Sequence, residues 1–450
     1  MGQLSESQLA TVRALLNSAP DCAVRDLELT LAEGSERHDT MRAIHGMVAA
    51  ESLDRRARNA VFRPVAPLCS RSPARLGGVQ FPAAALAGVW RGLKIDGGHN
   101  VRMAIAGADP HSYEPPADEV YDALCVEAAA GLRARANQGY AAAADALEAA
   151  PGEGVESFAG YLDIAPVARS ALNRMHDWLG RLNEERIASA RLAFRDAVAV
   201  AEDAGPRLLE ILYAHLEEPW AVLRLVSAVM QRPDDRFVAS SELAVFGTRV
   251  LDDIDAQLKL VAAFDADLGV AAGLLAGAAV RTATLEVQEF DESMDLSPEG
   301  PWGSRLSRQR KALVLAVEGR LKAVEAQVSG ALPVQNSGGF KSKGLRGQPR
   351  LQSDPDVRQV QRALAFLSFL REVRPAGERL GFGALWTKTY EQVQARLDTY
   401  VEDLLEKLRS GEGDNLGRVR TFLDVAAEFT GLLSDDKAAQ IVRRRMAAAA

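Results

Sequence analysis

Cysteine is scarce in this 450-residue chain: Cys22, Cys69 and Cys125 are far apart and form no CxxC pair. An odd, dispersed set excludes a disulfide scaffold and fits a reducing compartment. Histidine is almost as sparse. His38, His45, His99, His111, His176 and His215 include no i, i+4 pair and no HExxH, so the sequence offers no helical zinc site. There is no GxSxG elbow, and no cysteine sits in a nucleophile motif. Aromatic residues are only 6% of the chain, and β-branched residues rarely cluster, which argues against strands. No apolar run reaches about 18 residues, so no transmembrane helix is expected. The nearest run, 268–280, is stopped by Asp267 and Asp265, whose charges oppose insertion. The first six residues hold no basic region and no apolar stretch, so no secretory signal is expected, and Glu6 stands where a myristoylation signal needs Ser or Thr.

What is abundant points one way. Ala, Leu, Arg and Glu favour helix, and apolar residues recur every three or four positions. Arg outnumbers Lys 44 to nine, which reads as GC-rich coding and a bacterial source. The expected fold is all-α: an elongated multi-helix bundle of long amphipathic helices, with a loop-rich N-terminal region. No repeat of 34 or 40 residues is visible.

Four segments follow from composition. Residues 1–155 read as an N-terminal helical subdomain, loop-rich at 58–115 where prolines and paired glycines punctuate. Helices are expected there at 4–17, 22–31, 39–56, 83–93, 117–136 and 140–150, and Pro151 to Gly154 break the chain. Residues 156–300 read as a central long-helix bundle. Its segment 167–204 has no proline and is expected to run as one helix of roughly 55 Å. The seam slips between Leu182 and Ile187, so an ideal coiled coil is not expected there. Residues 301–352 read as a basic helix followed by a flexible basic loop. Residues 353–450 read as a C-terminal helical hairpin or bundle, its first helix capped by Asp354 with Pro355 in the first turn. Trp386, Tyr390, Val393, Leu397, Tyr400 and Leu404 form the strongest heptad-like seam and are the candidate homodimer interface.

Charge is unevenly placed. The chain carries −8, yet residues 301–350 hold ten Lys or Arg against Glu318 and Glu325, a block of +8 that leaves −16 on the rest. Directly before it, 286–299 hold six acids and no base. The candidate binding residues for an anionic partner or surface are Arg305, Arg308, Arg310, Lys311, Lys341, Lys343, Arg346 and Arg350. A flexible strap of this kind would grip phosphates in a salt-sensitive way. Against that stands a solvated loop compensated by the acidic stretch.

Sharper chemistry fails on spacing. Gly338, Gly339, Lys341 and Ser342 resemble a phosphate loop superficially, but the required glycines are Phe340 and Gln335. Residues 291–302 place oxygens at alternate positions, but Leu296 and Trp302 occupy the glycine and glutamate positions of a calcium loop. Gly269, Gly273 and Gly277 share a helical face and are read as a tight helix crossing. Asp252, Asp253 and Asp255 are read as facing solvent. Trp220, Trp302 and Trp386 are read as core anchors.

No catalytic residue, metal or cofactor is therefore expected. The leading expectation is a non-catalytic helical scaffold or adaptor that binds other proteins in a bacterial cytoplasm. The alternatives are a peripheral factor on anionic inner membrane or nucleic acid, held by 305–350 and the tail arginines Arg443, Arg444 and Arg445, and an α-helical enzyme with carboxylates brought in from separate helices.

Overall fold

The computed structural model describes residues 5–34, 39–69, 77–110, 116–150, 154–180, 183–230, 233–335, 348–411 and 415–449. The chain is 82% helical, with 21 α-helices and almost no strand among the described residues, so the fold is an all-α multi-helix bundle. It divides into two compact units, Met1–Gln231 and Arg232–Ala450. The chain break read at 151–154 falls inside the first unit, and the basic block falls inside the second.

The first unit contains α1 (Glu6–Ser18), α2 (Asp21–Gly34), α3 (Asp39–Val61), α4 (Ala83–Asp96), α5 (His99–Gly107), α6 (Asp118–Ala134), α7 (Gln138–Ala149), α8 (Val155–Asp163), α9 (Ala165–Leu179), α10 (Glu184–Val200), α11 (Ala204–His215) and α12 (Val222–Val229). Ser5 starts α1 with a capping box: its hydroxyl accepts from the Gln8 amide while the Gln8 side chain accepts from the Ser5 amide. Leu16, Val24, Leu31 and Val48 close a small core between α1, α2 and α3. In the centre, α4 and α7 pack backbone to backbone, because Gly92 faces Gly139 and the Tyr140 ring lies over Gly92 and Gly131.

The helix expected over 167–204 is two helices. It stops at Leu179, and Asn183 restarts the chain as the cap of α10, accepting from the Arg186 amide at 2.9 Å, with Glu184 and Glu185 in the favoured first turn. The slip in the apolar seam at this point was the trace of that break. The punctuated stretch 58–115 also holds a helix, α5, that its glycines and prolines obscured.

The second unit contains α13 (Asp235–Ala239), α14 (Ala244–Ala262), α15 (Val270–Ser293), α16 (Pro301–Ala331), the short strands β1 (Val334–Gln335) and β2 (Gln348–Pro349), α17 (Val357–Glu372), α18 (Gly377–Leu380), α19 (Gly383–Ser410), α20 (Leu416–Leu433) and α21 (Asp436–Ala449). The first-turn cap of α17 is Asp356, which accepts from Arg358 and Gln359; Asp354 instead takes the Arg418 guanidinium at 3.0 Å. Trp302, Leu306, Gln309, Leu313, Val317, Leu321, Val324 and Val328 form the buried stripe of α16.

α15 and α17 lie side by side and run the same way: Asp267 meets Arg358, Gly273 meets Ala365 and Ser368, and Gly277 meets Glu372. A methyl group on Gly273 would be driven into the Ala365 carbonyl and stand 2.8 Å from Ser368 Cβ. Two of the three glycines thus make the expected tight crossing. Gly269 does not; it is the cap of α15, at φ 69°, with open space around it. Among the described residues α15 is the one helix long and apolar enough to cross a membrane, and 56% of its most apolar window is buried inside the unit.

The seam proposed for a dimer is engaged inside the chain. Val393, Leu397, Tyr400 and Leu404 are at most 2% exposed, packed between α19, α16 and α20. Trp386 stacks on Tyr390 at 5.1 Å and donates its indole N–H to the Leu370 carbonyl at 2.7 Å. A dimer zipped along these side chains would first have to open the unit.

One device recurs through both units. An arginine from a neighbouring helix donates into the carbonyls at a helix C-terminus, where the backbone has unpaired acceptors and partial negative charge. Arg55 reaches Leu16 O at 2.6 Å and Ala19 O at 2.8 Å at the end of α1. Arg169 reaches Ala60 O at 3.1 Å and Val61 O at 2.6 Å at the end of α3. Arg224 holds Leu179 O of α9 at 2.5 Å, Arg191 holds Ala228 O and Met230 O at the end of α12, and Arg320 holds Val261 O of α14.

Two glycines separate close packing from helix propensity. Gly273→Ala is expected to lower the stability of the second unit by about 2 kcal/mol through overpacking. Gly319→Ala, on an open face of α16, should raise it by about 0.5–1 kcal/mol. Urea denaturation of both variants beside the parent chain measures the two signs.

Candidate interaction surface

Among the described residues the basic candidates divide into cations that hold helices and cations that face outward. Arg305 points inward along α14 and pairs with Asp252 at 2.6 Å and Asp255 at 2.5 Å. Gln309 braces the same spot, donating to Leu251 O and to Asp255, both at 2.7 Å. Burial raises the Asp255 carboxyl pKa, and the hydrogen bonds from Gln309 and Arg305 together with the Arg305 charge more than offset it, leaving it below the usual 3.8. Asp252 and Asp255 do keep about half of their side chains in solvent, but both are ion-paired and anchor α16 to α14. Arg310 pairs with Asp291, so among the described residues the acidic stretch neutralises the basic block at one point.

Arg308 and Lys311 differ. Both are exposed, and neither has an ion pair or hydrogen bond among the described residues. They lie one helical turn apart on the outward stripe of α16, with Ala312, Leu315, Gly319 and Lys322 following at helical spacing. Leu315 is 70% exposed in the middle of that stripe. Lys322 pairs with Glu318 at 3.1 Å.

Arg350 lies beyond the other end of α16. Its amide donates to Pro333 O at 2.9 Å and its side chain to Gln352 at 3.3 Å, while Val334 and Gln335 pair with Pro349 and Gln348. The ends of the basic loop are thus pinned by a short ladder rather than free. From Arg308 to the end of α16 is about 35 Å at 1.5 Å per residue. Lys341, Lys343 and Arg346, with the glycine-rich segment 336–340, lie outside the described residues, as do His38 and His111. In the tail, Arg445 is bound to Glu402 at 2.5 Å and 2.7 Å, and Arg443 and Arg444 are exposed.

Burial pushes the thiols of Cys69 and Cys125 up to about 12, which leaves them protonated and inert. His215 Nε2 meets Pro64 O at 3.0 Å. Among the described residues no group of three or more His, Cys, Asp or Glu is arranged to hold a metal ion. An open groove of about 620 Å3 on the first unit runs along α10 past Ile187 and Leu192.

Buried carboxylates were the feature that sequence reasoning missed. Glu286 and Glu289 belong to the acidic stretch, yet are 1% and 3% exposed. Glu289 accepts from Ser293 Oγ at 2.6 Å. Glu286 is pushed up to about 10, first by burial and then by a hydrogen bond and charge from Asp253. Their spacing, seven and four residues before Ser293 on an apolar helix, places both on its inward face, the one sequence signal that was available.

No family model, curated protein or solved structure matches this chain. Its functional reading therefore rests on its own residues.

The two kinds of cation separate by stability. Arg305→Ala is expected to cost about 1–2 kcal/mol at neutral pH, and Arg308→Ala to stay within about 0.5 kcal/mol of the parent. Because the Asp255 pKa is depressed, the Arg305 contribution is present above about pH 4 and is lost as pH falls below it. Denaturation at pH 7 and at pH 3 reads both effects.

Proposed function

We propose that the protein is a non-catalytic helical scaffold or adaptor of a bacterial cytoplasm, and that it binds an acidic, amphipathic segment of another protein along the outward stripe of α16. The observation that carries this reading is the pair of unpartnered cations, Arg308 and Lys311, set beside the exposed Leu315 on one helix face. An exposed leucine flanked by like charges suits a partner helix with one apolar anchor and acidic neighbours. Arg305 and Arg310 hold the stripe in place from behind, so the docking face is presented on a rigid 31-residue helix.

A second reading, attachment to anionic membrane or nucleic acid, draws on the exposed Arg443 and Arg444 of α21. Contacts with phosphates would make such binding collapse with added salt. The two arginines lie on a different helix from Leu315, and the apolar anchor has no role in that reading.

Affinity purification from the native cell distinguishes them. The doubly reversed variant R308E/K311E and the single variant L315E should each lose the captured protein by tenfold or more, while a variant reversed at Arg443 and Arg444 keeps it. Vesicles of anionic lipid, or duplex DNA, bound by the parent chain at low salt and lost with R443E/R444E would favour the second reading. Equal capture by parent and R308E/K311E would end the first.

A further inference from the structure

We infer that the second unit folds around a proton shared between Glu286 of α15 and Asp253 of α14, and that giving up this proton loosens the α14–α15 pair. The inference is independent of the α16 docking reading.

The geometry carries it. Glu286 is 1% exposed, and its Oε2 is buried without a hydrogen-bond partner. Its side chain is hydrogen-bonded to Asp253. An ionised carboxylate can only accept, so two carboxyl groups in hydrogen-bond contact need a proton between them. A fully ionised pair would place two like charges together, one of them buried with an orphaned oxygen, which is strongly unfavourable.

The neighbouring charges are engaged elsewhere. On α14, Arg249 lies over the Phe246 ring at 5.3 Å, and Gln257 reaches Asp253 at 3.5 Å, a long contact that adds no charge. On α15 itself, Glu289 holds Ser293 and Arg281 pairs with Glu372 of α17. On α16, Arg305 takes Asp252 and Asp255, Gln309 takes Asp255, and Arg310 takes Asp291. In the segment after α17, Arg374 lies over Trp386 at 5.4 Å, and Glu378 and Arg379 are exposed. Among the described residues Asp253 supplies the one side-chain hydrogen bond and the one charge that shift Glu286.

The sign follows from linkage. Glu286 ionises at its ordinary 4.5 in the unfolded chain and near 10 in the folded one. Between those limits the folded unit binds a proton that the unfolded chain releases. Folding is therefore favoured at the acidic end, and the advantage declines as pH rises through the window. The pair acts as an alkaline-sensitive latch on the apolar helix α15.

Hydrogen exchange on the full chain reads the latch locally. Peptides from α14 and α15 are followed from about pH 6 to about pH 9, with peptides from α6 and α7 of the first unit correcting for intrinsic exchange. The parent chain should open α14 and α15 more at each step, by up to about tenfold per pH unit for one proton. E286Q, which keeps the hydrogen-bond donor without the ionisation, should lose that slope and be better protected at about pH 8. D253N should weaken the slope. A parent chain with no slope in α14 and α15, or an E286Q chain with the same slope as the parent, would overturn the inference. Should E286Q fail to fold, the slope of the parent decides by itself.

Discussion

The interaction on which both units depend is the guanidinium of one helix set against the carbonyl end of another. A helix C-terminus leaves unpaired acceptors and partial negative charge, and burying it without a donor is costly. Arg55, Arg169, Arg191, Arg224 and Arg320 each supply that donor to a different helix. The planar fork suits the task, since it bonds two carbonyls and a carboxylate at once, as Arg169 does with Ala60, Val61 and Asp122. Helix ends can then sit inside the bundle. The excess of arginine over lysine has a physical use here, whatever its origin in coding.

That use changes how the basic block reads. Charge counted along the chain cannot separate cations that hold helices from cations that face outward. In α16 the two kinds alternate: Arg305, Arg310 and Arg320 bond to neighbouring helices, while Arg308 and Lys311 do not. The proposed docking face is accordingly smaller than the block, with the exposed Leu315 at its centre. The acids divide in the same way. Asp252, Asp255 and Asp291 answer the inward arginines, whereas Glu286 withdraws into the core and is held there by a proton instead of a cation.

What the sequence made legible was local. Apolar spacing located most helices, and the segments read at 39–56 and 83–93 fall within α3 and α4. Gly273 and Gly277 announced a close crossing because their spacing is itself the signal. What stayed hidden was non-local. Arg169 and the α3 carbonyls it caps are more than a hundred residues apart, and Arg305 is 50 from Asp255; no periodicity links such partners. The seam at Val393 to Leu404 was visible as a seam, but apolar spacing is the same whether the partner helix belongs to this chain or to another. The break before α10 was readable from Asn183 and the two glutamates after it, yet a proline-free stretch masked it.

Arg169→Lys tests the central claim most directly, because it keeps the charge and removes the fork. At 3% exposure the lysine could not reach both α3 carbonyls and Asp122. Hydrogen exchange at the α3 amides should report a loss of about 3 kcal/mol in opening free energy relative to the parent. A variant as well protected as the parent would show that charge alone suffices, and would contradict the account.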